Sequence, residues 1–322
     1  MAQATGTTDT YDLVGLAEDV EDIINDISPM DTPFYQGAKR KKASATLHQW
    51  QTDSLASAAA NRAIEGDDST YATASPTTML SNYCQIAKKT VIVSGTADAV
   101  RKYGRKEEFA YQIAKKGREL KRDIEFALIQ NQASSAGGSG TARSAAGVES
   151  MIAGNRILLT GNSTGTTPGY AAGVWAAPTD GSATAMTEGD LVSALEAAWT
   201  DGGNASTLMV NSTLKKKFST FAGASSYAGV SVNQGRSVQG VVVNGVDMYV
   251  SPFGEHKVVL NRFMRTGTVL CLDMEYWSVA FLRPIKFEER AKTGDATRGE
   301  ILCEFTLVGD NPDASAKIQA AT

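Results

Sequence analysis

Residues 105–136 read RKEEFAYQIAKKGRELKRDIEFALIQNQASSA, and the rest of the chain is organised around this stretch. Phe109, Ile113, Leu120, Ile124 and Leu128 recur at steps of four or seven, which stacks them on one helical face. Glu107 and Glu108 fall in the first turn, where the positive end of the helix dipole favours them. No proline interrupts the run, and Gly117 weakens it by only about 1 kcal/mol. The spacing predicts one spine helix over 105–136, a rod roughly 40 Å long at about 1.5 Å per residue. That is well beyond the usual helix of about 11–12 residues. Lys115, Lys116, Arg118, Glu119, Lys121 and Arg122 lie between the apolar positions and make a charged outer face.

Working back to the N-terminus, Leu13, Leu16, Val20, Ile23, Ile24 and Ile27 form an apolar stripe at helical spacing, with acids opposite. Ser28-Pro29 ends that helix, because the residue before a proline is pushed out of the helical region. This is an amphipathic arm with no core of its own. Residues 43–97 have another texture. Two extended runs, SATLHQWQTDSL and TMLSNYCQIAKKTVIVSG, flank a small, polar middle. They predict a long β-hairpin, and a lone hairpin is marginal in water. Its stability must come from packing on something else, for which another copy of the chain is the natural candidate.

After the spine, QASSAGGSGTARSAAG and TGNSTGTTPGYAAG lack periodicity and are expected as surface loops. From Thr187 the pattern sharpens. Thr187 with Asp190 resembles a capping box, and Leu191, Ala194, Leu195, Ala198 and Trp199 make a helical face. Thr207–Val210 is a short strand, and Asn211 caps a second helix carrying Leu214, Phe218 and Phe221. SVQGVVVNGVDMYV is a hairpin with Asn244-Gly245 as its turn. Residues 187–252 thus read as a compact α/β module able to fold alone. The tail is strand-rich: HKVVLN, TVLCLD, WSVAFL, IKFEER and EILCEFTLV, the last two joined by the turn KTGDATRG. The fold class is α+β, with the spine packed on the tail strands.

A chain of 322 residues suggests two domains, or one with large extensions. No apolar run is long enough to cross a bilayer, so no membrane is expected, and the N-terminus has no secretory h-region. Cys84, Cys271 and Cys303 are far apart and odd in number, which fits buried thiols in a reducing compartment. Cytoplasmic synthesis follows. Residues 1–38 carry eight acids and no Lys or Arg, whereas 39–122 carry sixteen basic and eight acidic side chains. Arm and middle are either complementary, within or between subunits, or ordinary solvated faces.

Reaction chemistry finds no support. The two histidines, His48 and His256, have no nucleophile elbow to serve, and both phosphate-binding glycine motifs are absent. The carboxylate pairs Asp67-Asp68 and Glu288-Glu289 point to opposite sides of an extended chain and make poor dyads. The EGDD loop reads as a solvated turn before it reads as a cation site. No catalytic, cofactor or metal residue is assigned, and the chain is not expected to be an enzyme.

An arm, a long hairpin, a spine helix, an inserted α/β module and returning strands, in that order, resemble the HK97-type capsid fold. The wording is similar to one group of tailed-bacteriophage major capsid proteins. The matching pieces are Asp26-Ile27-Ser28-Pro29 with Asp31-Thr32-Pro33-Phe34, Trp50 to Leu55, and Ala291-Lys292-Thr293-Gly294-Asp295 leading to Glu304-Phe305-Thr306-Leu307. The resemblance implies an N-terminal arm (1–42), an extended loop overlapping the neighbouring subunit (43–97) and a peripheral domain with the spine (98–186). It further implies an axial domain (187–252) and returning strands that complete both domains (253–322).

The implied function is self-assembly through pentamers and hexamers into an icosahedral phage head enclosing double-stranded DNA. Separate scaffolding, portal and decoration proteins are implied partners, with non-specific DNA contact on the inner face and the virion as final location. Subunit contact is expected at Leu13, Leu16, Val20, Ile23, Ile27 and Phe34 of the arm, and at Trp50, Arg62, Ile64 and Tyr71 of the hairpin. On the spine it is expected at Lys115, Lys116 and Lys121. A different self-assembling subunit, such as a tail tube, a surface array or an encapsulin-like shell, is the alternative.

Overall fold

A computed structural model describes residues 31–322 except 63, 67, 69, 70, 72, 160–164, 219, 220, 222–246, 320 and 322. The chain enters through a single turn α1 (Pro33–Gly37) and strand β1 (Lys39–Lys42). β2 (Leu47–Thr52) and β3 (Thr78–Tyr83) pair as an isolated antiparallel ladder from Leu47↔Tyr83 to Thr52↔Thr78. β4 (Gln85–Ser94), α2 (Gly95–Ala99) and the spine α3 (Glu108–Ile129) follow. Next come α4 (Val148–Met151), β5 (Arg156–Leu158), and the two short paired strands β6 (Tyr170–Ala171) and β7 (Val174–Trp175). Then α5 (Glu188–Thr200), β8 (Thr207–Val210), α6 (Ser212–Phe218), β9 (Met248–Ser251), β10 (Gly254–Leu260) and β11 (Thr268–Leu272) appear in order. Two long strands, β12 (Trp277–Arg290) and β13 (Ala296–Gly309), and the short β14 (Ala316–Gln319) complete the chain.

Two sheets carry the structure. The first has the order β1-β12-β13-β4, and α3 lies on it. Leu120, Ile124 and Leu128 are fully buried there in one core with Trp277, Val279, Ile301 and Phe305. The apolar face read from the spine is therefore the face that packs, with Phe109 and Ile113 half-buried at its start. The second sheet has the order β5-β14-β11-β8-β10-β9. Its core joins Leu191, Ala194, Leu195 and Ala198 of α5 to Leu208, Val258, Val269 and Ile318. The capping box forms: Thr187 Oγ1 accepts from the Asp190 amide at 3.3 Å, and Asp190 Oδ2 accepts from the Thr187 amide at 2.8 Å. Asn211 Oδ1 likewise caps α6 through the Leu214 amide at 2.8 Å.

Several expectations are corrected. The spine spans 22 residues, about 33 Å, where 105–136 was expected. At its start Gly104 takes a left-handed φ of 75°, and at its end Gln130 turns extended. There the polar side chains bond sideways: Gln130 Nε2 donates to the Phe263 carbonyl and Gln132 Nε2 to the Ala145 carbonyl, both at 2.8 Å. The loop beyond the spine does not stay wholly on the surface, for Ser134, Ala145 and Ala146 are buried.

The hairpin is shorter than 43–97. Its ladder ends at Tyr83, the buried Cys84 follows, and β4 leaves to pair with β13 from Gln85↔Phe305 to Ser94↔Ala296. Residues 187–252 are not self-sufficient. β8 sits between β11 and β10, so its neighbours come from beyond residue 252. The segments WSVAFL and IKFEER are one strand, irregular around Pro284, which has no amide to give the ladder. The Asn244-Gly245 turn and the arm helix lie outside the described residues.

Candidate subunit interface

β2 and β3 are fixed at their base. Trp50 Nε1 donates to the Gly309 carbonyl at 2.9 Å, and buried Asn82 donates from Nδ2 to the Leu307 carbonyl at 2.9 Å. Asn82 Oδ1 accepts from the Ala146 amide at 2.9 Å. Beyond Thr52 and Thr78 the described residues form no strand pairing. Three large apolar side chains stand in solvent there: Leu55 is 99% exposed, Ile64 79% and Tyr71 97%. Arg62 is exposed beside them. Leaving such surface wet forgoes about 25 cal/mol for each Å² that burial would remove from water. A fixed base carrying an uncovered apolar tip is what a contact with another molecule requires.

The expected contact residues do not form one cluster. Ile64, Tyr71 and Arg62 are on the loop, while Lys115 and Lys121 are exposed on α3 and Lys116 pairs with Glu119 at 2.8 Å. Leu13, Leu16, Val20, Ile23 and Ile27 lie outside the described residues. One assignment changes, and Trp50 is in part taken up by its own subunit. Phe34 is fully buried inside its own subunit, edge-on to Trp277 at 6.3 Å between ring centroids, and presents nothing to a neighbour. Trp50 is half-buried against the same core and is committed to Gly309.

Buried Glu125 is the residue that sequence reading missed. From the spine it accepts the Phe34 amide at 3.0 Å on Oε1 and the Tyr35 amide at 2.6 Å on Oε2, so it caps α1 from a distance. Asn261 Nδ2 also donates to Oε1. Burial pushes the Glu125 carboxyl up, against the pull of those three donors. Its one signal in sequence is position: a glutamate next to Ile124, on the edge of the apolar face.

In a second cluster Glu149 and Lys317 are buried, while Asp180 is exposed. Arg265 pairs with Glu149 at 2.6 Å and with Asp180, and Lys317 donates to the Glu149 carbonyl. Burial pushes the Lys317 ammonium down to about 7.

Among the described residues, neither histidine is joined to a carboxylate and a free nucleophile. His256 Nδ1 donates to the Ala205 carbonyl, which can only accept, at 2.7 Å, and Nε2 is hydrogen-bonded to Ser251 Oγ at 2.7 Å. Both residues are buried, and the pair fastens the β9–β10 turn. His48 is half-exposed, tilted against Trp50, its pKa lowered by burial and by Lys41. Among the described residues no group of three or more His, Cys, Asp or Glu is placed to hold a metal ion. No described helix is long and apolar enough to cross a membrane.

A six-stranded sheet with capped helices, a second sheet carrying a spine helix, and a projecting hairpin loop define an HK97-like capsid subunit. The chain superposes on the capsid subunit of cyanophage A-1(L) with a TM-score of 0.63 at 14% identity, covering 99% of this chain and 100% of that one. On the capsid of a native GTA particle the TM-score is 0.60 at 13% identity, covering 95% and 96%. The SrpI encapsulin of Synechococcus elongatus gives 0.53 at 9% identity, covering 92% of each. These likenesses establish the fold, shared by phage heads and encapsulins alike.

Sequence relationship separates the two. The chain belongs to the SU10 major capsid protein family, whose profile it matches over residues 3–322. It is similar to the major capsid protein of Escherichia phage Phieco32, 29% identical over 347 aligned residues covering 97% of this chain and 96% of the relative. It is a phage major capsid protein, a structural component of the virion.

Proposed function

We propose that copies of this chain assemble through pentamers and hexamers into an icosahedral head enclosing double-stranded DNA. The observation that carries the reading is the projecting loop, with Leu55, Ile64 and Tyr71 uncovered on a base that is itself well fixed. A side chain of this size is worth about 1.5–3 kcal/mol when buried, and a neighbouring copy is the surface present at every position of a shell. The arm (1–42) would dock its apolar stripe on a subunit, with its acids toward basic groups such as Lys115, Lys116 and Lys121. The second sheet would gather around the shell's symmetry axes as the axial domain, and the first sheet with the spine would form the peripheral domain. Exposed cations on the inner surface would meet DNA phosphates without sequence preference. Scaffolding, portal and decoration proteins would be separate chains, and no catalytic role is proposed. Electron micrographs of the purified chain test the reading: closed round shells support it, and tubes or flat sheets overturn it.

A further inference from the structure

We propose that Lys317 is a proton-operated lock between the second sheet and α4. Without a proton it lets the two close on each other, and on taking one up it drives them apart.

The geometry places it at that junction. Ala316 and Ile318 of β14 both belong to the core under α5, so strand alternation turns Lys317 to the opposite face. Leu270 is its cross-strand partner on that face. Leu270, with Leu272 and Met209, belongs to the other core, the one that holds Val148 and Met151 of α4 and Leu128 of the spine. The back of the second sheet is therefore packed toward α4. Lys317 is 1% exposed there, and its amine donates to the Glu149 carbonyl of α4.

That acceptor is neutral. The Glu149 carboxylate is held by Arg265 through Oε2 at 2.6 Å, and its buried Oε1 has no hydrogen-bond partner. No carboxylate of the described residues hydrogen-bonds the Lys317 amine, and a buried charge left without such a partner is costly. Charged groups face it from each element around it. Glu149 on α4 and Asp180 in the loop before α5 favour the ammonium, whereas Arg156 on β5 and Arg265 before β11 oppose it. These pulls work against each other, so burial decides, and it holds the amine down to about 7. Asp180 is exposed, so the cluster meets solvent on that side.

Where the sheet lifts from α4, the amine regains water and the ordinary lysine value of 10.5. Between that value and about 7, the opened junction holds a proton that the closed one has released. Opening should therefore become easier roughly tenfold for each unit that pH falls in this window, and level off below about pH 7.

Hydrogen exchange of the unassembled full-length chain tests this, followed by mass spectrometry from about pH 6 to about pH 10 and corrected for the intrinsic rate of amide exchange. The amides of Met151 and Ile152, which bond back to Gly147 and Val148 in α4, are the reporters. They should exchange faster than the β12–β13 ladder at every pH, because the junction opens without the chain unfolding. Their protection should rise roughly tenfold per pH unit above about pH 7, and Lys317→Met should abolish that rise. Protection of α4 that ignores pH in the parent, or a rise that Lys317→Met retains, overturns the proposal. So does an α4 that exchanges no faster than β12 and β13, which would mean that the whole chain opens at once.

Discussion

Replacing Phe34 and Tyr71 by alanine separates residues that the sequence alone places in one class. Phe34 is fully buried against Trp277 at 6.3 Å, with its amide bound by Glu125. Truncating a buried Phe costs about 3–5 kcal/mol, a total that includes the cavity left behind. At roughly 2–3 °C per kcal/mol for a chain of this size, Phe34→Ala should melt about 6–15 °C lower before any assembly. Tyr71 is 97% exposed, so Tyr71→Ala should leave the melting temperature of the unassembled chain unchanged. If another copy covers the ring, about 2 kcal/mol is lost per contact, close to thirty-fold in its association constant. The assays are calorimetric melts of unassembled full-length chain and the yield of sedimenting shells. A Tyr71→Ala variant that melts lower but assembles normally, or a Phe34→Ala variant with an unchanged melt, would refute the assignment of the two rings.

Two further expectations concern the arm and the buried lysine. Ile23→Asp should impair assembly more than Asp19→Asn with Asp22→Asn, because a buried Ile contributes about 1.5–3 kcal/mol and exposed ion pairs only about 0–1 kcal/mol. Yields measured across a salt series check this, and a double Asn variant that fails as badly puts electrostatics first. Burial lowers the Lys317 pKa from 10.5 to about 7. Between those values the unfolded chain holds a proton that the folded chain has released, so this group's cost is full below about pH 7 and fades as pH rises. Lys317→Met should therefore raise the melting temperature most near pH 6 and flatten the rise toward pH 10, and a slope identical to the parent's contradicts it.

What was legible in sequence is what is written in local periodicity. The faces of α3 and α5, except for Trp199, which is 62% exposed, and the Thr187–Asp190 box and the Asn211 cap depend on residues within a few turns of each other. What was not legible is pairing over distance. The pairing of β4 with β13, and of β8 with β10 and β11, joins segments tens to hundreds of residues apart, and alternation does not name a partner. The spine stops at Gln130 because its next polar side chains find carbonyls far along the chain, such as Phe263. Phe34 was misplaced because an arm with no core of its own offered no reason to expect one turn of it to plug the core under Trp277. Ile64 and Tyr71 stand exposed for the opposite reason: so few apolar residues surround them in sequence that nothing local covers them.

The central claim is that the projecting loop is ordered and used by a neighbouring subunit. Deleting residues 56–76 removes Ile64 and Tyr71 yet leaves the β2–β3 ladder, Trp50 and Asn82 in place. The account predicts a folded chain with a near-parental melt that yields no closed shells by electron microscopy. Shells of normal size and yield from that chain would contradict it.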